Sequence, residues 1–263
     1  MDSGGIVMSL ASDARVVTLI VAVLFLIAVE LGFRWGQRGA ASGHDQPLGT
    51  TIGAAFGVVG LLLAFSFSLS VTRFDARRAD LVDEANAIGK TILRTQLLEA
   101  SMRPQMRAEL KDYVETRISF AYAGAAAAAR APFNRHSAEL QRVMWQLVME
   151  DARKDPHSTM TPLFVQALNE LIDTAEKHDA SLAALIPLPI VGVLLIIVLV
   201  SGVLLGIDFG RKGRRSPVVQ LLFAVMLGLV IGVILDMDRP QHGLIRIDVS
   251  PLENLRSLLN VQT

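Results

Sequence analysis

The stretch TTIGAAFGVVGLLLAFSFSLSVTRFDARRADLVDEANAIGKTILR, residues 50 to 94, starts as a membrane span and finishes as a charged helix, with no breaker between the two parts. Thr50 to Val71 carries no charge and is close to the roughly 20 residues that a helix needs to cross about 30 Å of hydrocarbon. Inside that layer the backbone can only be helical, because lipid offers no partner for a bare N–H or C=O. Three more such runs are Val16 to Phe33 before it, and Ala183 to Ile207 and Val218 to Leu235 after it. The chain is apolar at both ends and polar in the middle, the pattern of a polytopic membrane protein.

We therefore read an all-α membrane protein: four transmembrane helices, with a helical bundle inserted between spans two and three. An N-terminal hairpin occupies residues 1–72, with spans at about 16–33 and 50–71. A helical domain follows over 73–183, then a second hairpin over 184–236 with spans at about 184–207 and 218–235, and a tail over 237–263. Composition agrees, since 52% of the 263 residues are hydrophobic and mean hydropathy is +0.45, too apolar for an ordinary soluble domain. Formal net charge is zero, so no global field argues for a nucleic-acid partner. The absence of cysteine excludes disulfides, thiolate metal sites and cysteine nucleophiles. Ahead of the first run stand Asp2, Asp13 and only Arg15, a poor signal-peptide n-region, so that run reads as a retained anchor.

Four spans place the N-terminus, the central domain and the tail on one side, and the two short linkers on the other. The linkers carry Arg34, Arg38, Arg211, Lys212, Arg214 and Arg215; the opposite side carries Arg15, Arg73, Arg77, Arg78, Lys177, Arg239 and Arg246. Basic residues mark the cytoplasmic side, and here the two sets nearly balance. The density of the cluster from Arg211 to Arg215 favours an extracytoplasmic central domain.

Within the central domain the pattern is helical, and we expect four helices. The first continues from the second span to about Glu99. The second opens at Pro104, shows Met106, Leu110, Tyr113 and Ala121 on one face, and ends in the alanine run before Pro132. The third covers about Ser137 to Arg153. The fourth is capped by Thr161, with Pro162 in its first turn and Phe164, Leu168, Leu171, Ala175 and Leu182 on its apolar face; it is expected to enter the third span without a break.

The second span is the most patterned segment. At about 100° per residue, Phe56, Leu63, Phe67 and Phe74 fall on one stripe. Gly49, Gly53 and Gly57, then Gly60, Ala64 and Ser68, put small residues at four-residue spacing on an adjacent face, the ridge that lets helices approach closely in lipid. If several copies ringed an axis, the phenylalanines would make a hydrophobic constriction that gates by dewetting. The alternative is that they face lipid or fill the bundle.

Ionisable groups within the spans are few. Glu30 and Arg34 stand at i,i+4 spacing and read as an interfacial ion pair. Asp236 and Asp238 close the fourth span, followed by Arg239 and Pro240, as a structural cluster or an ion-attracting vestibule. Arg73, Asp75, Arg77, Arg78, Asp80, Asp83 and Glu84 read as a solvated, salt-bridged helix, while Asn86 and Gly89 suggest close contact with another element. The five histidines show no metal-ligand spacing and each reads as a surface residue. No P-loop, GxSxG or HExxH is present, so neither an enzyme nor a cofactor is expected.

The run GLLLAFSFSLSVTRFDARRADLVDEANAIGKTILR, Gly60 to Arg94, resembles the hallmark of the bestrophin-like family of bacterial membrane proteins, a domain of unknown function. DMDRPQHGLIRIDVSPLENL, Asp236 to Leu255, resembles that family's stretch after the last span. The resemblance covers nearly the whole chain and rests on Arg73, Phe74, Asp75, Arg77, Arg78, Glu84, Asn86, Asp236, Asp238, Arg239, Pro240 and Gly243. It implies likeness to bestrophins, pentameric anion or cation channels with an axial pore lined by the second span and a cytoplasmic helical domain. The implied protein is a homo-oligomer, a pentamer if it follows the bestrophins, in the bacterial inner membrane, with the bilayer and inorganic ions as partners. Phe56, Leu63 and Phe67 would form the neck, and Gly53, Gly57, Gly60 and Ala64 the helix-packing surface. A bestrophin-like calcium clasp of clustered acids is not evident. The competing reading, from another class, is a membrane-anchored interaction or signalling protein whose helical domain docks a partner.

Overall fold

The computed structural model describes residues 14–40, 49–123, 127–238 and 245–261. Among these the chain is all-helical. The helices are α1 (Ala14–Ala40), α2 (Gly49–Arg94), α3 (Arg103–Tyr122), α4 (Ala127–Lys154), α5 (Thr161–Ala183), α6 (Leu188–Arg211), α7 (Pro217–Asp238), α8 (Ser250–Glu253) and α9 (Leu255–Val261). Four of them, α1, α2, α6 and α7, are long and apolar enough to cross a membrane. The chain divides into two compact units, one of residues 1–72 and 185–245, the other of 73–184 and 246–263.

In the membrane unit, α1 and α6 approach until their backbones touch. A Cβ at Gly32 or Gly36 would collide with the carbonyl oxygen of Val203 or Ile207, and one at Gly206 or Gly210 with that of Val29 or Phe33. Small residues four apart on both helices permit this, the geometry that dispersion and weak polar contacts favour in lipid. Val21, Phe25 and Val29 of α1 bury against a core that includes Val198 and Leu205 of α6 and Leu227 and Ile231 of α7.

In the helical unit, α3, α4 and α5 bury apolar faces around Met106, Leu110, Tyr113, Met144, Val148, Phe164 and Leu168. The expected faces of α3 and α5 are the buried ones. Leu252 and Leu255 of the tail join the same core, and a Cβ on Gly89 would lie 3.4 Å from Leu255, the close contact that a glycine there suggested.

Four boundaries differ from expectation. The first helix of this unit ends at Arg94 and tightens into a 3-10 turn at Thr95–Leu97 rather than reaching Glu99. Pro132 does not separate two helices but lies inside α4, which begins in the alanine run at Ala127 rather than at Ser137. Alanine is the strongest helix former, and burial of Leu140, Met144, Leu147 and Val148 along the same helix offsets the roughly 3 kcal/mol that an interior proline costs. Thr161 is not the cap of α5: Met160 holds that position, Ser158 Oγ accepts the Met160 and Thr161 amides at 3.3 and 3.2 Å, and the Thr161 hydroxyl instead donates to Asp151 at 3.0 Å. Finally, α5 does not run into the third span. It stops at Ala183, and α6 starts at Leu188 after Pro187, because a proline biases the residue before it away from helix.

Candidate functional site

The membrane half of α2 is the least covered helix of its unit. A third of the most apolar stretch of α1, α6 and α7 is buried (33% each), against 11% for α2. One narrow face of α2 is engaged. Val59 and Leu63 are buried within the membrane core, Ser70 is buried beside them in sequence, and the Phe56 ring lies 4.9 Å from that of Phe223 on α7, tilted by 42°. Phe67 keeps 42% of its surface exposed. Phe56, Val59, Gly60, Leu63, Ala64 and Phe67 line an apolar groove of about 490 Å³ with Phe223, Met226 and Val230.

The adjacent face, which carries the small-residue ridge, is open. Gly53, Gly57, Gly60 and Ala64 are exposed, and a Cβ on any of the three glycines would meet nothing within 4 Å. Further round the helix Leu61 and Phe65 are 57% and 65% exposed; sequence reasoning passed over both. Periodicity finds a stripe but cannot tell which stripe faces the rest of the chain when every face is apolar. None of the three ridge glycines of α2 thus packs closely against another described residue, while the close backbone packing belongs to α1 and α6. The segments GFRWG (Gly32 to Gly36) and GVLLGIDFG (Gly202 to Gly210) carry the same four-residue spacing and were the overlooked signal.

The charged part of α2 is solvated along one face only: Asp75, Arg78 and Asp83 are exposed, whereas Arg77, Asp80 and Glu84 are buried. Its polar residues form a ladder to α5. Arg77, 1% exposed, donates from Nε to the Ser181 carbonyl at 3.1 Å and from Nη2 to that of Ala184 at 2.8 Å, satisfying groups at a helix C-terminus that otherwise lack partners. Lys177 bridges Asp80 and Asp83 at 2.8 and 3.4 Å, Thr91 donates to the Ala167 carbonyl at 3.1 Å, and Arg94 to that of Leu163 at 2.7 Å. Glu84 is fully buried between Arg117 Nε and His178 Nδ1, the latter at 2.6 Å, and Arg117 Nη2 reaches Asp179 at 2.9 Å. An ionised carboxylate only accepts, so Nδ1 of His178 carries the proton.

Arg117 also lies 4.3 Å over the Phe120 ring. Burial works against its charge, but the Glu84 carboxylate outweighs that and holds the guanidinium above its usual range. Burial pushes the Tyr113 hydroxyl up as well, and Gln141 donates to it at 3.1 Å. His178, read from sequence as a surface histidine, is 2% exposed; its partner is 94 residues away, beyond any local pattern. His136 and His157 are exposed as expected.

The other motif residues are distributed differently. Arg73 and Phe74 are half-buried, and Arg73 Nη1 has no hydrogen-bond partner among the described residues. Asp75, Arg78 and Asn86 are exposed. Asp238 accepts the Ile186 amide on both oxygens at 3.2 and 3.0 Å, and Asp236 accepts that of Ile245 at 3.0 Å, so both buried acids fasten backbone near span ends. Arg239, Pro240 and Gly243 lie outside the described residues. Glu30 pairs with Arg34 at 2.9 Å and also with Arg215 at 3.2 Å. Among the described residues no three His, Cys, Asp or Glu side chains converge as a metal site.

The family model of the Bestrophin-like domain matches residues 19–252. A solved structure of a bacterial Bestrophin homolog from Klebsiella pneumoniae, bearing a leucine-to-threonine substitution, aligns with a TM-score of 0.70 at 14% identity, covering 95% of this chain and 98% of that one. An aspartate-to-alanine form from the same organism gives 0.69 at 13% identity, covering 93% and 97%. A structure described as a membrane protein gives 0.67 at 14% identity, covering 94% and 96%. At these identities the likeness is one of fold. Among curated proteins the comparison finds no match.

Proposed function

Since this chain belongs to the bestrophin-like family, we propose that it is a membrane ion channel built from several copies, with the membrane half of α2 beside the ion path. The bacterial inner membrane is the expected location. The observation that carries this reading is the bareness of α2, 11% buried over its apolar stretch where its neighbours reach 33%. An apolar helix can face lipid, but a ridge of Gly53, Gly57, Gly60 and Ala64 with open space before it offers little to lipid chains and suits a neighbouring helix. A second copy supplies that helix, and closed symmetry then makes a ring.

In such a ring the constriction comes from side chains that a single chain leaves free. Phe56 and Leu63 are already engaged within the protomer. Phe67 and Phe65 are not, and a hydrophobic ring made by either would gate by dewetting. Ions pass without chemistry, so the charged ladder between α2 and α5 serves to hold the helical unit together.

The test starts with oligomeric state in mild detergent, where a monomer would end the proposal. Anion and cation flux is then measured through the purified protein in liposomes, for the native chain and for Phe65→Ala and Phe67→Ala. One of the two variants should raise flux while assembling normally. Unchanged flux in correctly assembled rings of both would reject the neck.

A further inference from the structure

One end of the membrane unit gathers positive charge. α1 leaves its apolar stretch through Arg34 and Arg38, and α6 leaves through Arg211, followed by Lys212, Arg214 and Arg215. The two ends meet. Gly36 lies against Ile207 and Gly210 against Phe33, and the Arg215 guanidinium sits 4.2 Å over the Phe33 ring.

The described carboxylates of this unit are Glu30, Asp208, Asp236 and Asp238. The last two are fastened to backbone amides near Ile186 and Ile245. Among the described residues Glu30 and Asp208 serve the collar: Glu30 takes Arg34 and Arg215 at 2.9 and 3.2 Å, and Asp208 takes Lys212 at 2.6 Å. Arg38 and Arg214 are exposed and pair with no carboxylate among the described residues. Complementing two helix C-termini would need about one cation each. Trp35, 66% exposed, stands between Arg34 and Arg38 in sequence, a residue type that settles at the headgroup level of a bilayer.

We propose that this collar binds the headgroup phosphate of an anionic phospholipid, with Arg38 and Arg214 as its ligands and Trp35 against the lipid. A guanidinium fork matches a phosphate in two hydrogen bonds, which an ammonium does not. The lipid's negative charge meets the two exposed guanidiniums of Arg38 and Arg214 that no described carboxylate reaches. The site is independent of whether α2 lines a pore.

The native tryptophan is the reporter. The chain has two tryptophans, so Trp145→Phe leaves Trp35 as the single emitter in the full-length protein. In mild detergent, phosphatidylglycerol and phosphatidylcholine with brominated acyl chains are titrated and quenching is read. Phosphatidylglycerol should quench at concentrations at least about tenfold lower, and added salt should narrow that gap. Arg38→Gln with Arg214→Gln should abolish the preference, while the paired lysine variant keeps the part that charge alone supplies. Both pairs are exposed, and an unchanged melting temperature shows that the fold is intact. Equal quenching by the two lipids, or a preference that survives the glutamine pair, overturns the proposal. Displacement of the lipid by millimolar inorganic phosphate would show a free-anion site and overturn the lipid assignment.

Discussion

Replacing Glu84 by leucine should harm the protein more than replacing Glu84 and Arg117 together. Both side chains are essentially inaccessible, at 0% and 1% exposure, so the single change leaves a buried guanidinium with only Asp179, itself 29% exposed, to balance it. Breaking a buried pair from one side costs about 3–5 kcal/mol, whereas apolar replacement of both partners is often close to neutral. For a protein of this size about 1 kcal/mol moves the midpoint of thermal unfolding by roughly 2–4 °C. Glu84→Leu should therefore lower it by about 6–20 °C. The pair Glu84→Leu with Arg117→Leu should recover much of that loss, less the cost of the His178 and Asp179 partners it orphans. The assay is thermal unfolding of the full chain in detergent, run as a double-mutant cycle. A shift under about 2 °C for Glu84→Leu, or losses that simply add in the double variant, would refute the claim that one buried charge network holds α2 to α3 and α5.

Two further expectations follow from packing and from the tail. Gly206→Ala drives a methyl into the Val29 carbonyl and should cost about 3 kcal/mol, the upper part of the range for overpacking, while Gly192→Ala, with nothing within 4 Å, should leave the unfolding midpoint unchanged or slightly raised. At the tail, Arg256 forks onto Glu115 at 2.8 and 2.6 Å, and its hydrogen bond holds the Glu115 carboxyl below the usual range. A carboxyl with a lowered folded pKa stabilises the docked tail above its unfolded pKa and loses that effect as pH falls through the folded value. Amide protection in α9 should therefore weaken below about pH 4 in the native chain, and Arg256→Gln should remove that pH dependence; identical profiles would contradict the assignment.

The four spans were legible because hydrocarbon imposes length and apolarity, and both are written locally in the chain. The apolar faces of α3 and α5 were legible for a related reason: Met106, Leu110 and Tyr113, and Phe164, Leu168 and Leu171, recur at helical spacing against polar neighbours. The bare face of α2 was not, since Leu61, Leu63, Phe65 and Phe67 are alike to any pattern that sorts apolar from polar. The charged ladder was half visible. Arg77 and Glu84 stood out in the motif, but their partners are carbonyls at Ser181 and Ala184 and the side chains of Arg117 and His178, which no spacing announces. Pro132 misled because a proline signals a break only where burial elsewhere in the helix fails to outweigh it.

The backbone contact of α1 with α6 has a mechanical consequence. Where Gly32, Gly36, Gly206 and Gly210 bring carbonyls against neighbouring backbone, there is no side-chain layer to shear and no rotamer to flip, so the two helices move as one slab. Motion inside the membrane unit is left to surfaces built from side chains, such as the tilted Phe56–Phe223 contact of α2 with α7. The other half of the same helix is tied to α5 by the charged ladder, so what freedom α2 has lies in its membrane half, around Phe65 and Phe67.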